Sequence, residues 1–141
     1  MAFGISPKHI QDIPLEQYTT AQFLVLALEA AKQLEWNIGY TSTTGFVAYT
    51  KFSMSSMSEE VTLHIADGQA ILKSKCTGTQ MMDWGKNKRN TGDFVKAFQH
   101  LKNSFTTEEL EQKYESLKPT FLSEEEALQK QKAQTPKEKM G

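Results

Sequence analysis

The sequence predicts an α+β two-layer sandwich: a four-stranded antiparallel meander flanked by an N-terminal helix and one or two C-terminal helices. Three observations predict it. Residues 61–66 (VTLHIA) alternate apolar and polar with period two, and Asp67-Gly68 then leads into a second alternating run, 69–76 (QAILKSKC). Such alternation marks strands with one buried face, and Asp-Gly between them suits a type I′ turn because both central residues tolerate positive φ. The other two observations are a wide apolar helical stripe at 21–35 and an aromatic stripe, Phe94, Phe98, Leu101 and Phe105, at spacings of four, three and four. Each stripe needs an apolar surface opposite it, and the open face of a sheet supplies one.

Residues 1–18 hold Pro7 and Pro14 and show no helical period. They read as an irregular arm, with apolar residues such as Ile10 and Ile13 able to lie on the domain. Thr19 or Thr20 is the N-cap candidate for the first helix. Phe23, Ala27, Ala30, Ala31 and Leu34 share one face of it, and the alanines allow close approach to a sheet. Trp36, Ile38 and Tyr40 then fall on one face of a first strand. A turn cluster at 42–45 precedes the aromatic and β-branched run 46–52, the second strand. The segment 53–58 (SMSSMS) is polar and links the two hairpins. In the last strand Ala70, Leu72, Ser74 and Cys76 face one way, and Ile71, Lys73 and Lys75 the other.

After Cys76 the segment 77–90 reads as a loop, with Thr91 and Asp93 able to cap or favour the start of the aromatic helix. Thr106 and Glu109 make a capping box for a short third helix, which Pro119 stops. From Ser123 onward four acids and four bases balance among few apolar residues, the composition of a disordered or weakly helical tether. The organisation expected is an arm at 1–18, a single α+β domain at 19–118 and a flexible linker at 119–141.

With 141 residues the chain suffices for one domain, and an ordered part of roughly 100 residues can bury a core without staples. The net charge of −1 argues against a nucleic-acid partner, which wants a basic domain. A single cysteine, Cys76, excludes an internal disulfide. No apolar run approaches the roughly 20 residues of a membrane span, and the N-terminus lacks signal-peptide regions. The fragment reads as soluble.

No catalytic, metal or cofactor motif emerges. His9, His64 and His100 are far apart, and none is at zinc-ligand spacing with Cys76. Cys76, at a strand end on the inner face, reads as a small core residue, since a nucleophile needs a base and an orienting group beside it. Asp83 with Glu59 or Glu60 could form a carboxylate pair, but Asp83 beside Trp84-Gly85 reads better as a turn or capping group. Gly85-Lys86-Asn87 lacks the glycine and Lys-Ser/Thr pair of a phosphate-binding loop. The binding candidates are Lys86, Lys88 and Arg89, which with Lys73 and Lys75 form the one local basic cluster and could meet phosphates, although a solvated loop is the plainer reading, since a few local charges do not make a basic domain. Met54, Met57, Met81 and Met82 could form an adaptable surface or fill a core.

The succession of a helix ending in Leu34-Glu35-Trp36, the pair Thr44-Gly45-Phe46, a meander, then the stretch 77–90 (TGTQMMDWGKNKRN) and an aromatic helix resembles the soluble N-terminal domain of some bacterial rhomboid-family membrane proteins. These are intramembrane serine proteases. The likeness covers about residues 20–120, and Gly85 to Lys88 is its most specific part. It implies a non-catalytic cytoplasmic accessory or regulatory domain. Its partner would be the protein's own membrane-embedded region at the inner membrane, with 136–141 as a linker just before the first span. The family's Gly-x-Ser-Gly serine and its histidine have no counterpart here, so no catalytic residue carries over. The alternative is an independent binding module that meets a phosphate-bearing ligand or an anionic membrane surface through Lys86 to Arg89.

Overall fold

The computed structural model describes residues 8–50, 59–76, 86–123, 126 and 129. It is an α+β two-layer sandwich. A five-stranded antiparallel sheet carries its helices on one face. In chain order the elements are β1 (Lys8–Pro14), α1 (Thr20–Gln33), β2 (Asn37–Ser42), β3 (Gly45–Tyr49), β4 (Glu59–Ala66), β5 (Gln69–Cys76), α2 (Lys86–Leu101) and α3 (Thr107–Leu117). The sheet order is β1-β5-β4-β3-β2, so the expected meander is present and the N-terminal segment adds an outer strand beside β5.

That fifth strand corrects the irregular arm expected at 1–18. Only Ile13 among the seven residues of β1 is buried, so the edge position leaves no period-two hydrophobic signal to read. Residues 1–7 lie outside the described residues. The β4–β5 hairpin turns as its sequence dictates, with Asp67 at φ 55° and Gly68 at φ 77°. β2 departs from its expected alternation. Its register shifts between Ile38 and Tyr40, so that Ile38 lies across from Ala48 and Tyr40 across from Val47. A bulge at Gly39 thus puts Ile38 and Tyr40 on opposite faces. A Cβ at Gly39 would sit 3.1 Å from the Tyr49 ring and 3.3 Å from the Val47 carbonyl oxygen.

α1 is capped by Thr19, whose hydroxyl accepts from the Gln22 N–H while the Gln22 side chain accepts from the Thr19 N–H. It ends in a Schellman arrangement: Trp36 N–H donates to Ala31 and Glu35 N–H to Lys32, with Glu35 at φ 62°. Phe23, Leu24, Val25 and Leu26 are fully buried. Each side chain of this size contributes about 1.5–3 kcal/mol on burial. Phe23 meets Phe98 at 4.6 Å between ring centroids, and Trp36 stacks on Phe94 at 5.9 Å. α2 lies over β1 and β5 and beside α1, while α3 packs on α1 through buried Leu110. The Thr106 to Glu109 capping box forms as the sequence implies.

After a 3-10 turn at Lys118–Thr120, the Leu122 N–H donates to the Thr41 carbonyl at 2.7 Å, in a parallel bridge with Ser42. Ordered contacts therefore run past residue 118, into the stretch read as linker. Ser123 and Glu126 then form another capping box: the Ser123 N–H donates to the Glu126 carboxylate at 2.9 Å, and the Glu126 N–H to the Ser123 hydroxyl at 3.1 Å. Residues 130–141 of the expected tether lie outside the described residues.

The Ser123 backbone N–H first, and its hydroxyl second, hold the Glu126 carboxyl below its ordinary value. A depressed carboxyl favours the capped form above the ordinary glutamate range, and that contribution is lost as pH falls through the lowered value. In Ser123→Ala the Glu126 titration midpoint, followed by carboxyl-carbon NMR, is expected to move up toward the ordinary value. An unmoved midpoint rules out the hydroxyl's part in holding Glu126 down.

Candidate functional site

Lys86, Lys88 and Arg89 occupy the first turn of α2, five residues before the helix start that Thr91 suggested. Lys86 is half-buried, and Lys88 and Arg89 are exposed. The turn holds no acidic residue. Three cations thus crowd the positive end of a helix dipole, an arrangement that repels them and attracts anions. Lys73 and Lys75 do not join them. Strand alternation turns both lysines to the outer face of the sheet, opposite α2, in the rows Ile10–Lys73–Thr62 and Lys8–Lys75–Glu60. There Lys75 pairs with Glu60 at 3.6 Å.

Between α2 and the sheet lies a group of buried polar side chains that the sequence reading did not assemble. Ser74 donates its hydroxyl to Asn87 Oδ1 at 2.8 Å, and Asn87 Nδ2 donates to Cys76 Sγ at 3.5 Å. Asn90 Nδ2 donates to Ser74 Oγ at 3.1 Å and to Glu59 Oε1 at 3.0 Å. The Thr50 hydroxyl also donates to Glu59 Oε1, at 3.0 Å, and accepts from the Glu59 N–H at 3.1 Å. Glu59 is 4% exposed, and its Oε2 is buried with no hydrogen-bond partner among the described residues. Asn87 and Ser74 are fully buried. The sequence signal was present. Asn87, Thr91, Phe94 and Phe98 continue one helical stripe at spacings of four, three and four, so the polar end of the stripe is as buried as its aromatic end.

Chemically this group braces a helix to a strand. The Ser74 proton goes to Asn87, although His9 stands across the ladder from Ser74. Cys76 accepts an amide N–H and is 3% exposed. His64 faces outward on β4 and His100 is exposed in the last turn of α2. Glu59 faces inward and Glu60 outward, so neighbours in sequence are parted by the sheet; Asp83 lies outside the described residues. So do Trp84 and Met54, Met57, Met81 and Met82. Among the described residues no group of three or more His, Cys, Asp or Glu could hold a metal ion, and no helix is long and apolar enough to cross a membrane.

A cleft of about 550 Å³ opens between the N-termini of α1 and α3, lined by Tyr18, Gln22, Lys102, Phe105 and Thr106 among others. It offers an anion little. Both helix starts are closed by their own capping boxes, and Lys102 pairs with Glu16 at 2.5 Å. No protein-family model and no curated protein matches the chain.

Proposed function

We propose that the chain is a non-catalytic accessory domain of a rhomboid-like membrane protein, working at the cytoplasmic face of the inner membrane beside that protein's membrane-embedded region. The observation that carries the non-catalytic part is the bonding of Ser74, Asn87, Cys76, Asn90 and Glu59 to one another. A catalytic constellation instead holds nucleophile and base toward a reacting atom. The membrane context rests on the sequence resemblance over about residues 20–120. The test is the full-length protein. Apolar spans carrying a Gly-x-Ser-Gly serine should follow residue 141, and removing residues 1–123 should leave cleavage of a transmembrane substrate measurable while altering its rate or selectivity. A reading frame that closes soon after Gly141, or cleavage abolished by Ser74→Ala with the fold intact, overturns the reading.

A second reading is favoured by the basic first turn of α2. Lys86, Lys88 and Arg89 attract an anionic surface or a phosphate-bearing ligand. Each basic residue close to an anionic membrane contributes about 1 kcal/mol, so the three contribute roughly 3 kcal/mol, enough to orient a tethered domain. Lys73 and Lys75 add nothing to the same contact, being on the other face. Co-sedimentation with anionic vesicles at low salt is expected to fall in Lys86→Glu/Lys88→Glu/Arg89→Glu and to fade as salt rises. Wild-type protein that ignores such vesicles at low salt removes this reading.

A further inference from the structure

The two edges of the sheet are finished differently. At β2 the chain's own Leu122 donates to Thr41, so that edge is covered locally. At β1 no described strand pairs on the outer side. An open strand edge is a template for another strand, and proteins commonly blunt it.

The hydrogen-bond phase of β1 is fixed. Antiparallel ladders alternate bonded and non-bonded pairs. Leu15 N–H donates to the Gly68 carbonyl at 3.1 Å, in line with the pairing Pro14↔Gln69. Ile13, Gln11 and His9 therefore bond β5, and the N–H and C=O groups of Lys8, Ile10 and Asp12 point to the free edge. Pro14, which has no N–H, occupies an edge-facing position too, where proline is tolerated. Ile10 is 50% exposed, and Ile71, diagonal to it on the outer face, is 43% exposed.

We propose that two copies of this chain join through their β1 edges, antiparallel about Ile10, into one continuous sheet. Lys8 and Asp12 stand symmetrically about Ile10, so a two-fold axis there sets each Lys8 across from Asp12 of the second copy and Ile10 across from Ile10. All three pairs are of the bonded kind and exchange roughly six backbone hydrogen bonds. On the outer face the two Ile10 side chains meet between the two Ile71 side chains, and opposite charges directly across strands add to the pairing. On the inner face the two-fold brings the α2 helices, each lying over its own β1, to the same side. An antiparallel axis at Gln11 instead sets Pro14 across from Lys8, forfeiting donors, and Ile10 across from Asp12. A parallel edge sets like charges nearest. The interface is isologous, as a closed dimer requires. Its size places it among small, transient interfaces, below about 1,200 Å² in total.

Sedimentation equilibrium of the whole chain over a wide concentration range tests this. Wild type should show reversible monomer–dimer exchange. Lys8→Asp alone and Asp12→Lys alone each set like charges across the edge and should weaken the dimer by about tenfold or more. An equimolar mixture of the two variants restores opposite charges at every pair and should associate as well as wild type, as should Lys8→Asp/Asp12→Lys. Thermal unfolding of each variant reports that the fold is kept. Wild type that stays monomeric at its highest soluble concentration overturns the proposal. So do single reversals that dimerise like wild type, or a mixture no tighter than its components.

Discussion

Phe98→Ala is expected to destabilise the domain by about 3–5 kcal/mol, the range for removing a buried phenylalanine. Phe98 is 2% exposed and lies at the centre of the aromatic stack, with its ring 4.6 Å from that of Phe23 and 6.1 Å from that of Phe94. Its loss leaves a cavity between α1 and α2 that neither helix can close, because each is also held elsewhere. Trp36 fixes Phe94 from the other side, and Tyr18 donates to the Lys102 carbonyl at 3.1 Å. A loss of this size is a large fraction of the 5–15 kcal/mol that holds an ordinary domain folded. Denaturant unfolding reads it directly. A midpoint that does not move would mean that the α2 face is not packed on α1.

Gly45→Ala is expected to cost about 3 kcal/mol or more, at or beyond the upper end for overpacking. The reason is close approach and not backbone freedom, since Gly45 does not have positive φ. A Cβ there would lie 1.8 Å from the Leu63 carbonyl oxygen and 2.9 Å from its carbon. Those are backbone atoms of the neighbouring strand, so no rotamer change relieves the clash. β3 must part from β4 at the pair Gly45↔His64, which also endangers the 2.7 Å bond from Ile65 N–H to the Thr44 carbonyl. Gly39→Ala is the informative comparison. Its nearest contact is the edge of the Tyr49 ring, which can turn. Chemical denaturation should rank Gly45→Ala well below Gly39→Ala in stability. Equal stabilities would show that the two strands separate freely.

These two residues also show what the sequence could and could not convey. The aromatic stripe around Phe98 and the Asp67-Gly68 hairpin were legible because periodicity and turn chemistry agree there, each a local signal of a buried face. β1 was not legible, since an edge strand with only Ile13 buried carries no alternation. β2 misled for another reason. The bulge at Gly39 inserts one residue, and everything before it then points to the other face. The start of α2 was hidden because Asn87 and Thr91 are polar, and a buried polar stripe looks like a loop until its partners are known. Asn87 finds its partners in Ser74 and Cys76 on β5, and its neighbour Asn90 reaches Glu59 on β4, while the Thr91 hydroxyl donates to the Lys88 carbonyl of its own helix. The basic residues were legible as a composition but not as a patch: the sheet itself parts Lys73 and Lys75 from the helix.

The pairing of β1 with β5 has a consequence during synthesis. Gln11 lies across from Leu72, about 60 residues later in the chain. At roughly 5–20 residues per second, β1 leaves the ribosome on the order of 3–12 s before its partner exists. The β2–β3 and β4–β5 pairings close over short spans and need no such wait, and local contacts form fastest. Among the described strands β1 is made first, and it can join the sheet only once β5 exists. Until then Ile13, buried in the folded domain, travels uncovered, whereas Ile10 stays half exposed even after β1 has joined.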